Sequence, residues 1–492
     1  MLFNSYSFLL FFPIVCLVYF VIPKKVRWVW LLAASYFFYM SWNPVYALLI
    51  AFCTVATYLA GIFLEHFRLC QKRQKLVVTI CLLLNLGILV YFKYMDFLIE
   101  SVNRVLALLG DLRISSLNLV LPVGISFYTF QAIGYTIDVF RGDTKAEKNI
   151  FRYALFVSFF PQLVAGPIER SKNLLNQVRE DSAHKSWDYE RITSGFMTML
   201  WGYFLKMVIS DRISIYVDKV FQDYSSYNAV ILLLAAIGFA IQIYCDFGGY
   251  SAIAIGGAKV LGYDLMENFR TPYFSAGITE FWNRWHISLS TWFRDYLYIP
   301  LGGNRVKKWK HYRNLVITFL VSGLWHGASW HYVVWGGIHG VLQILEREWK
   351  KVTGKLPEAS LYVGWIRSCV QRVMTFLLLV LTWVFFRAQS VTEACLYIKG
   401  IFSFGDWLEF DWKICPAIGI MPVEMKILVF SVAILFLVDL VCWKKQMTFV
   451  GVMQWCPIPV RWGILFTLLF SCVVFGIYGP EFDASQFIYF QF

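Results

Sequence analysis

Charge is absent from long stretches of this chain. Residues 1–23, 28–64, 114–137, 224–245, 314–345 and 462–480 contain no Lys, Arg, Asp or Glu. About 20 helical residues cross the ~30 Å hydrocarbon core of a bilayer. The pattern therefore predicts an all-α, polytopic membrane protein, and its interruptions predict the elements. The first span closes at Lys24, Lys25 and Arg27. The next hydrophobic stretch turns at Ser41-Trp42-Asn43-Pro44, and the third span ends near Arg68, Lys72, Arg73 and Lys75. A fourth span covers 76–92, and 93–113 is expected to hold an interfacial helix. Pro122, Gly124, Pro161, Gly166 and Pro167 interrupt 117–140 and 152–167, which predicts kinked or re-entrant segments buried in protein. Residues 192–210 and 229–247 read as helices, and 280–298 as one amphipathic helix. Further spans fall near 373–386, 427–442 and 462–477, while 171–191 and 346–360 read as loops. The expected total is roughly ten to twelve crossings plus re-entrant pieces, in a single transmembrane domain over 1–492.

Composition agrees and excludes other classes. Of the 492 residues, 59% are hydrophobic and 15% charged, against about 25% charged in soluble chains. A soluble enzyme, a disulfide scaffold and a disordered chain are ruled out. Aromatics reach 19%, and Trp and Tyr favour membrane interfaces. The net charge of +13 sits in short loops, as on the cytoplasmic side of a membrane, and does not call for a nucleic-acid partner. By the same rule the loops at Lys24 and Lys72 are cytoplasmic and the N-terminus is extracytoplasmic. The eleven cysteines form no CxxC pair, and most lie in apolar stretches where packing is their expected role.

Two constellations stand out chemically. His326 lies in Ser322-Gly323-Leu324-Trp325-His326-Gly327-Ala328, inside the uncharged run 314–345. Ionisable groups within a membrane are costly and usually functional, and imidazole suits proton transfer near neutral pH. His331 and His339 share the run, and each read alone is first a hydrogen-bonded core residue. On one continuous helix His326 would stand about 140° from either of them, which fails the i, i+4 arrangement of zinc-protease histidines. No metal site is expected. The second constellation runs from Glu280-Phe281-Trp282-Asn283-Arg284-Trp285-His286 to Arg294-Asp295. A plain interfacial helix with snorkelling arginines would explain part of it. Arg284 and Arg294 could meet an anionic donor, Asn283 could help position it, and His286 could orient a substrate or assist proton transfer.

These residues carry a resemblance. The block 280–304, ending Tyr298-Ile299-Pro300-Leu301-Gly302-Gly303-Asn304, resembles the signature of the membrane-bound O-acyltransferase (MBOAT) family. So do Gly323-Leu324-Trp325-His326-Gly327, Trp335-Gly336-Gly337-Ile338-His339-Gly340 and the segment from Phe160-Pro161-Gln162 to Gly166-Pro167-Ile168. The likeness is to the bacterial branch of alginate O-acetylation and D-alanyl teichoic acid transfer proteins, and is densest over about 121–340. It implies a helical bundle with broken helices around a central funnel or tunnel. His326 would match the family's catalytic histidine and His286 its second motif histidine. Asn283, Arg284, Trp325 and Asp246 would serve donor or substrate binding. Tyr244-Cys245-Asp246-Phe247-Gly248-Gly249-Tyr250-Ser251-Ala252 resembles a further family block, with Ala252 where an acid is common.

The C-terminal segment 482–492 ends Phe487-Ile488-Tyr489-Phe490-Gln491-Phe492. It reads as an interfacial anchor, yet it is also similar to tyrosine-containing tails of envelope acylation systems, where Tyr489 would carry the acyl group. The resemblance implies no tightly bound cofactor and an acyl thioester donor, acetyl-CoA or another. It also implies membrane lipids, an extracytoplasmic SGNH-type transferase and an envelope polysaccharide as partners, in the cytoplasmic membrane. A D-alanyl thioester on a carrier protein, a lipid or sterol acyltransferase, and a transporter or channel remain open alternatives. A transporter would show repeated halves, and no repeat is visible.

Overall fold

The computed structural model describes residues 1–110, 112–164, 166–180, 187–353, 361–403 and 421–478. Among these residues the chain is helical and no strand forms. Seven helices are long and apolar enough to cross a membrane, and Tyr6–Val21 is a shorter apolar helix. The protein is thus a multi-pass membrane protein. Fewer helices qualify as crossings than the hydrophobic pattern suggests, because several of its stretches break into short pieces.

Contacts divide the chain into two compact units, Met1–Phe196 with Ala254–Met266, and Met197–Ile253 with Glu267–Phe492. The first contains α1 (Tyr6–Val21), α2 (Arg27–Met40) and α3 (Tyr46–His66). Next come α4 (Gln71–Leu106), α5 (Ile125–Arg141) and α6 (Ile150–Ser158). The expected separation of a span at 76–92 from a helix beyond Lys93 does not occur. Helix α4 runs through both, passing a π turn at Val90–Tyr94. Neither Pro nor Gly lies between Gly87 and Gly110 to stop it. The interruption predicted at Pro122 and Gly124 is present. Gly124 has φ +74°, and a Cβ there would lie 2.6 Å from the Leu163 carbonyl oxygen. Only glycine tolerates both conditions. Opposite it, the Gln162 amide donates to Gln131 (3.0 Å) and to the Phe156 carbonyl (3.0 Å). Gln162 thus forms a buried polar knot with Gln131 and the Phe156 carbonyl.

The second unit holds most of α7 (Tyr189–Gln222) and of α8 (Ala229–Val260), with α9 (Ile278–Arg284) and α10 (Ile287–Phe293). It continues with α11 (Lys308–His326), α12 (Trp330–Thr353), α13 (Leu361–Arg387) and α14 (Val391–Ile401). It ends with α15 (Pro422–Lys445), α16 (Phe449–Trp455) and α17 (Ile458–Phe475). The segment expected as one amphipathic helix over 280–298 is two helices, α9 and α10, broken at Trp285-His286. The long run 314–345 is a hairpin, α11 turning at Gly327 into α12. The segment 346–360 is not all loop, because α12 continues to Thr353. Strong helix formers and the pairs Lys350–Glu346 and Lys351–Glu348 carry it on. Likewise 171–179 is helical rather than a loop.

Helices α11 and α12 cross with no side-chain layer between them. A Cβ on Gly323 would lie 2.2 Å from the Tyr332 carbonyl oxygen, and one on Gly336 would lie 2.2 Å from that of Phe319. Each glycine's missing side chain is the space the other helix occupies, a recurrent device in membrane helix packing. Gly323→Ala and Gly336→Ala should each separate the hairpin and destabilise the protein by about 1–3 kcal/mol. Thermal unfolding followed by fluorescence size exclusion checks this. An unchanged transition in both variants would show that the crossing is not close-packed.

Candidate active site

The hairpin places His326 on the last turn of α11, with Gly327 ending the helix. The imidazole is 4% exposed and caged by aromatic rings. Trp325 lies 5.1 Å away between centroids, Trp335 5.2 Å and Phe386 5.4 Å. Trp335 comes from α12 and Phe386 from α13, so three helices build the cage. His286 comes from the break between α9 and α10 and is fully buried. Its ring lies 6.4 Å from His326 and 6.0 Å from Trp325. The two histidines singled out in separate motifs therefore meet. Phe247 of α8 packs edge-on against His286 at 4.6 Å.

His286 stands at φ +43°, in the left-handed region. Backbone bonds bracket it. Arg270 N–H donates to the Arg284 carbonyl (2.9 Å) and Ile287 N–H donates to the Asn268 carbonyl (3.0 Å). These bonds fold α9 away from α10, which the hydrophobic pattern alone does not show. Burial lowers the His286 imidazole from its ordinary value and so favours the neutral ring.

His331 and His339 each bond within the protein. His331 Nδ1 donates to the Phe385 carbonyl (3.0 Å), since a carbonyl can only accept. His339 Nδ1 accepts from the Trp282 indole (3.3 Å). His331 and His326 stand on different helices, so the single-helix angles drawn from the sequence do not apply. Among the described residues no cluster of three or more His, Cys, Asp or Glu could hold a metal.

The predicted donor-binding residues divide. Asn283 is exposed and lines a cavity of about 850 Å³ with Trp282, Phe319, Ser322 and His311. Arg294, Arg347, Lys350, Lys351 and Glu346 also line this cleft. Trp282 links the cleft to the cage, because it packs at 5.8 Å on Trp335. Arg284 is not in that lining. It pairs with Glu280 (2.9 Å) and reaches the Arg270 carbonyl (3.3 Å). Trp325 is buried against both histidines, 6.0 Å from His286 and 5.1 Å from His326. Asp246 is 1% exposed and is held by Lys206 at 2.5 Å, with Asp211 on the same ammonium at 2.8 Å. Lys206 was legible as the lone charge within 192–210, but its partners were not. The basic cleft residues of α12 give no signal in the sequence, because 346–360 reads as a polar loop. Tyr489 lies outside the described residues.

Comparison with known proteins follows the same lines. Residues 145–386 match the model of MBOAT, the membrane-bound O-acyltransferase family. The probable alginate O-acetylase of Pseudomonas putida is 36% identical, with 100% of both chains covered. The peptidoglycan O-acetyltransferase of Helicobacter pylori is 33% identical over 82% of this chain and 80% of its own. The teichoic acid D-alanyltransferase of Bacillus subtilis is 30% identical over 46% of this chain and 58% of its own. With two motif histidines converging in a buried cage beside a basic cleft, this chain belongs to the membrane-bound O-acyltransferase family and is an O-acyltransferase.

Proposed function

We propose that this enzyme moves an acetyl group from a cytosolic thioester, acetyl-CoA or a related donor, toward an extracytoplasmic envelope polysaccharide. The convergence of His326 and His286 beside the cleft carries this reading, and the alginate and peptidoglycan O-acetylating relatives support the acetyl group and the polymer. His326 acts as general base. It takes the proton of the attacking hydroxyl as the oxygen bonds to the thioester carbonyl. The C–S bond then breaks, and the imidazolium returns the proton to the departing thiolate. His286, neutral and fixed, orients the donor, and Trp325 packs against both histidines. The donor's phosphates lie against Arg347, Lys350 and Lys351 on the cleft rim, and Asn283 meets the polar part of its arm. No resident cofactor takes part. The enzyme sits in the cytoplasmic membrane with its N-terminus outside, consistent with the basic loops at Lys24 and Lys72.

The attacking hydroxyl is either the polymer's or that of Tyr489. A relay through Tyr489 runs downhill, because a thiol (about 8.5) is a better leaving group than a phenol (about 10), and a sugar hydroxyl is poorer still. An SGNH-type partner outside the membrane would complete the second transfer.

His326→Ala should abolish acylation while the protein still accumulates in the membrane; normal ester content of the envelope polymer would refute the general-base role. Removing cleft charge with Arg347→Ala and Lys351→Ala should raise KM for acetyl-CoA about tenfold, ~1.4 kcal/mol, with kcat little changed. The same variant should lose no affinity for acetyl-pantetheine, which lacks the phosphates, and an equal loss for both donors would count against the assignment. Mass spectrometry of the C-terminal peptide should find a 42 Da acetyl adduct at about that mass on Tyr489, absent in Tyr489→Phe. Unchanged polymer acylation by Tyr489→Phe would leave the tail as an anchor only.

A further inference from the structure

The block around Asp246 carries no part of the proposed chemistry directly, yet it abuts the turn that holds His286. The reason lies in Asn268, a fully buried residue that no motif marked. Its carboxamide is used on both ends. Oδ1 accepts from the Ser288 hydroxyl (2.6 Å) and from the Ser288 N–H (3.4 Å). Nδ2 donates to the Ser251 hydroxyl (3.0 Å). A backbone N–H can only donate, so Ser288 fixes which end of the amide is oxygen. Asn268 therefore ties the residue two past His286 to helix α8. Its own carbonyl also receives Ile287 N–H at 3.0 Å.

Helix α8 meets the turn at two points. Phe247 and Ser251 are four residues apart, so they share one helical face. Phe247 packs its ring on the imidazole and Ser251 holds Asn268. The rotation of α8 about its axis is fixed from another side. Asp246, next to Phe247, is bound by Lys206 of α7. The two helices touch backbone to backbone, since a Cβ on Gly202 would lie 2.6 Å from the Gly249 carbonyl oxygen. A left-handed, non-glycine residue is strained and persists only where surrounding contacts over-determine it. At His286 those contacts are Asn268 and the bracketing backbone bonds.

The geometry points to Asn268 as a positioning residue for His286, mounted on the Phe247–Ser251 face of α8. This rests on the reading of His286 as a donor-orienting group. Asn268 touches no reacting atom. It sets where the imidazole stands, and the Asp246 block acts through it.

The test is a double-mutant cycle on the full-length protein in membrane vesicles, reading initial rates of thiol release from acetyl-CoA. Asn268→Ala should lower kcat about a hundredfold, the loss expected when a catalytic group shifts by about 1 Å, with KM within about threefold. In a His286→Ala background the same substitution should change the rate less than about twofold. Where Asn268→Ala accumulates poorly, Ser251→Ala removes one anchor of the amide and should cost about tenfold in kcat, again only when His286 is present. Full multiplication of the losses in the double variant, or wild-type kcat in Ser251→Ala, would overturn the positioning role. Wild-type activity in His286→Ala would instead refute the role of His286 itself, and this inference would fall with it.

Discussion

No water is available in the hydrocarbon core to satisfy a polar group, so each one must find its partner within the protein. That constraint shapes this chain at every level. Hydroxyls fold back on their own helices, as Thr54 does to the Ile50 carbonyl (2.7 Å) and Thr318 to that of Asn314 (2.7 Å). Charges taken below the surface come in closed sets, as with Lys206 between Asp211 and Asp246. The Tyr244 hydroxyl donates to the buried Asp439 carboxyl (2.9 Å). Removing one member of such a set strands the others, which is why buried ion pairs are costly to break even when they add little net stability. The same rule concentrates chemistry. An ionisable group kept inside the membrane is costly and so marks a functional site.

Much of this was legible in the residues. Uncharged runs announced the membrane, and the breaks at Pro122 and Gly124 announced an interrupted segment. His326 stood out because an imidazole between glycines in an apolar run has few ordinary explanations. What stayed hidden depends on tertiary bonds. The split of 280–298 has no Pro or Gly to mark it, since it is imposed by Asn268 and Arg270 from outside the segment. The hairpin at Gly327 moved His331 onto a second helix, and no helical wheel drawn through 314–345 could represent that. Asn268 left no trace, because a single asparagine between two helices is the commonest kind of loop residue. Lys206 did leave one, as a lone charge in an apolar helix.

The site also joins two kinds of packing. Around the histidines the contacts are aromatic, with Trp335 stacked on Trp383 at 5.6 Å and Tyr332 against Phe386 at 5.0 Å. Such rings are large and have few rotamers, so they hold a cavity's shape at little entropic cost. At the hairpin crossing the contacts are backbone on backbone. A rigid joint and a stiff cage together leave the imidazole of His326 little freedom. The cleft beyond Trp282 is different. Its rim residues Lys350 and Lys351 are long, solvated chains that can adapt to a ligand. Precision thus increases from the mouth of the cleft toward the chemistry.

The strained backbone at His286 has a consequence for how this enzyme can change. Glycine would adopt the same φ with almost no penalty, so position 286 holds a residue poorly suited to its conformation. On the proposed role of His286, the most stable chain and the most active chain are different sequences at this one site. Selection for robustness alone would erode it, and the tertiary bonds around Asn268 are what allow the less stable choice to persist.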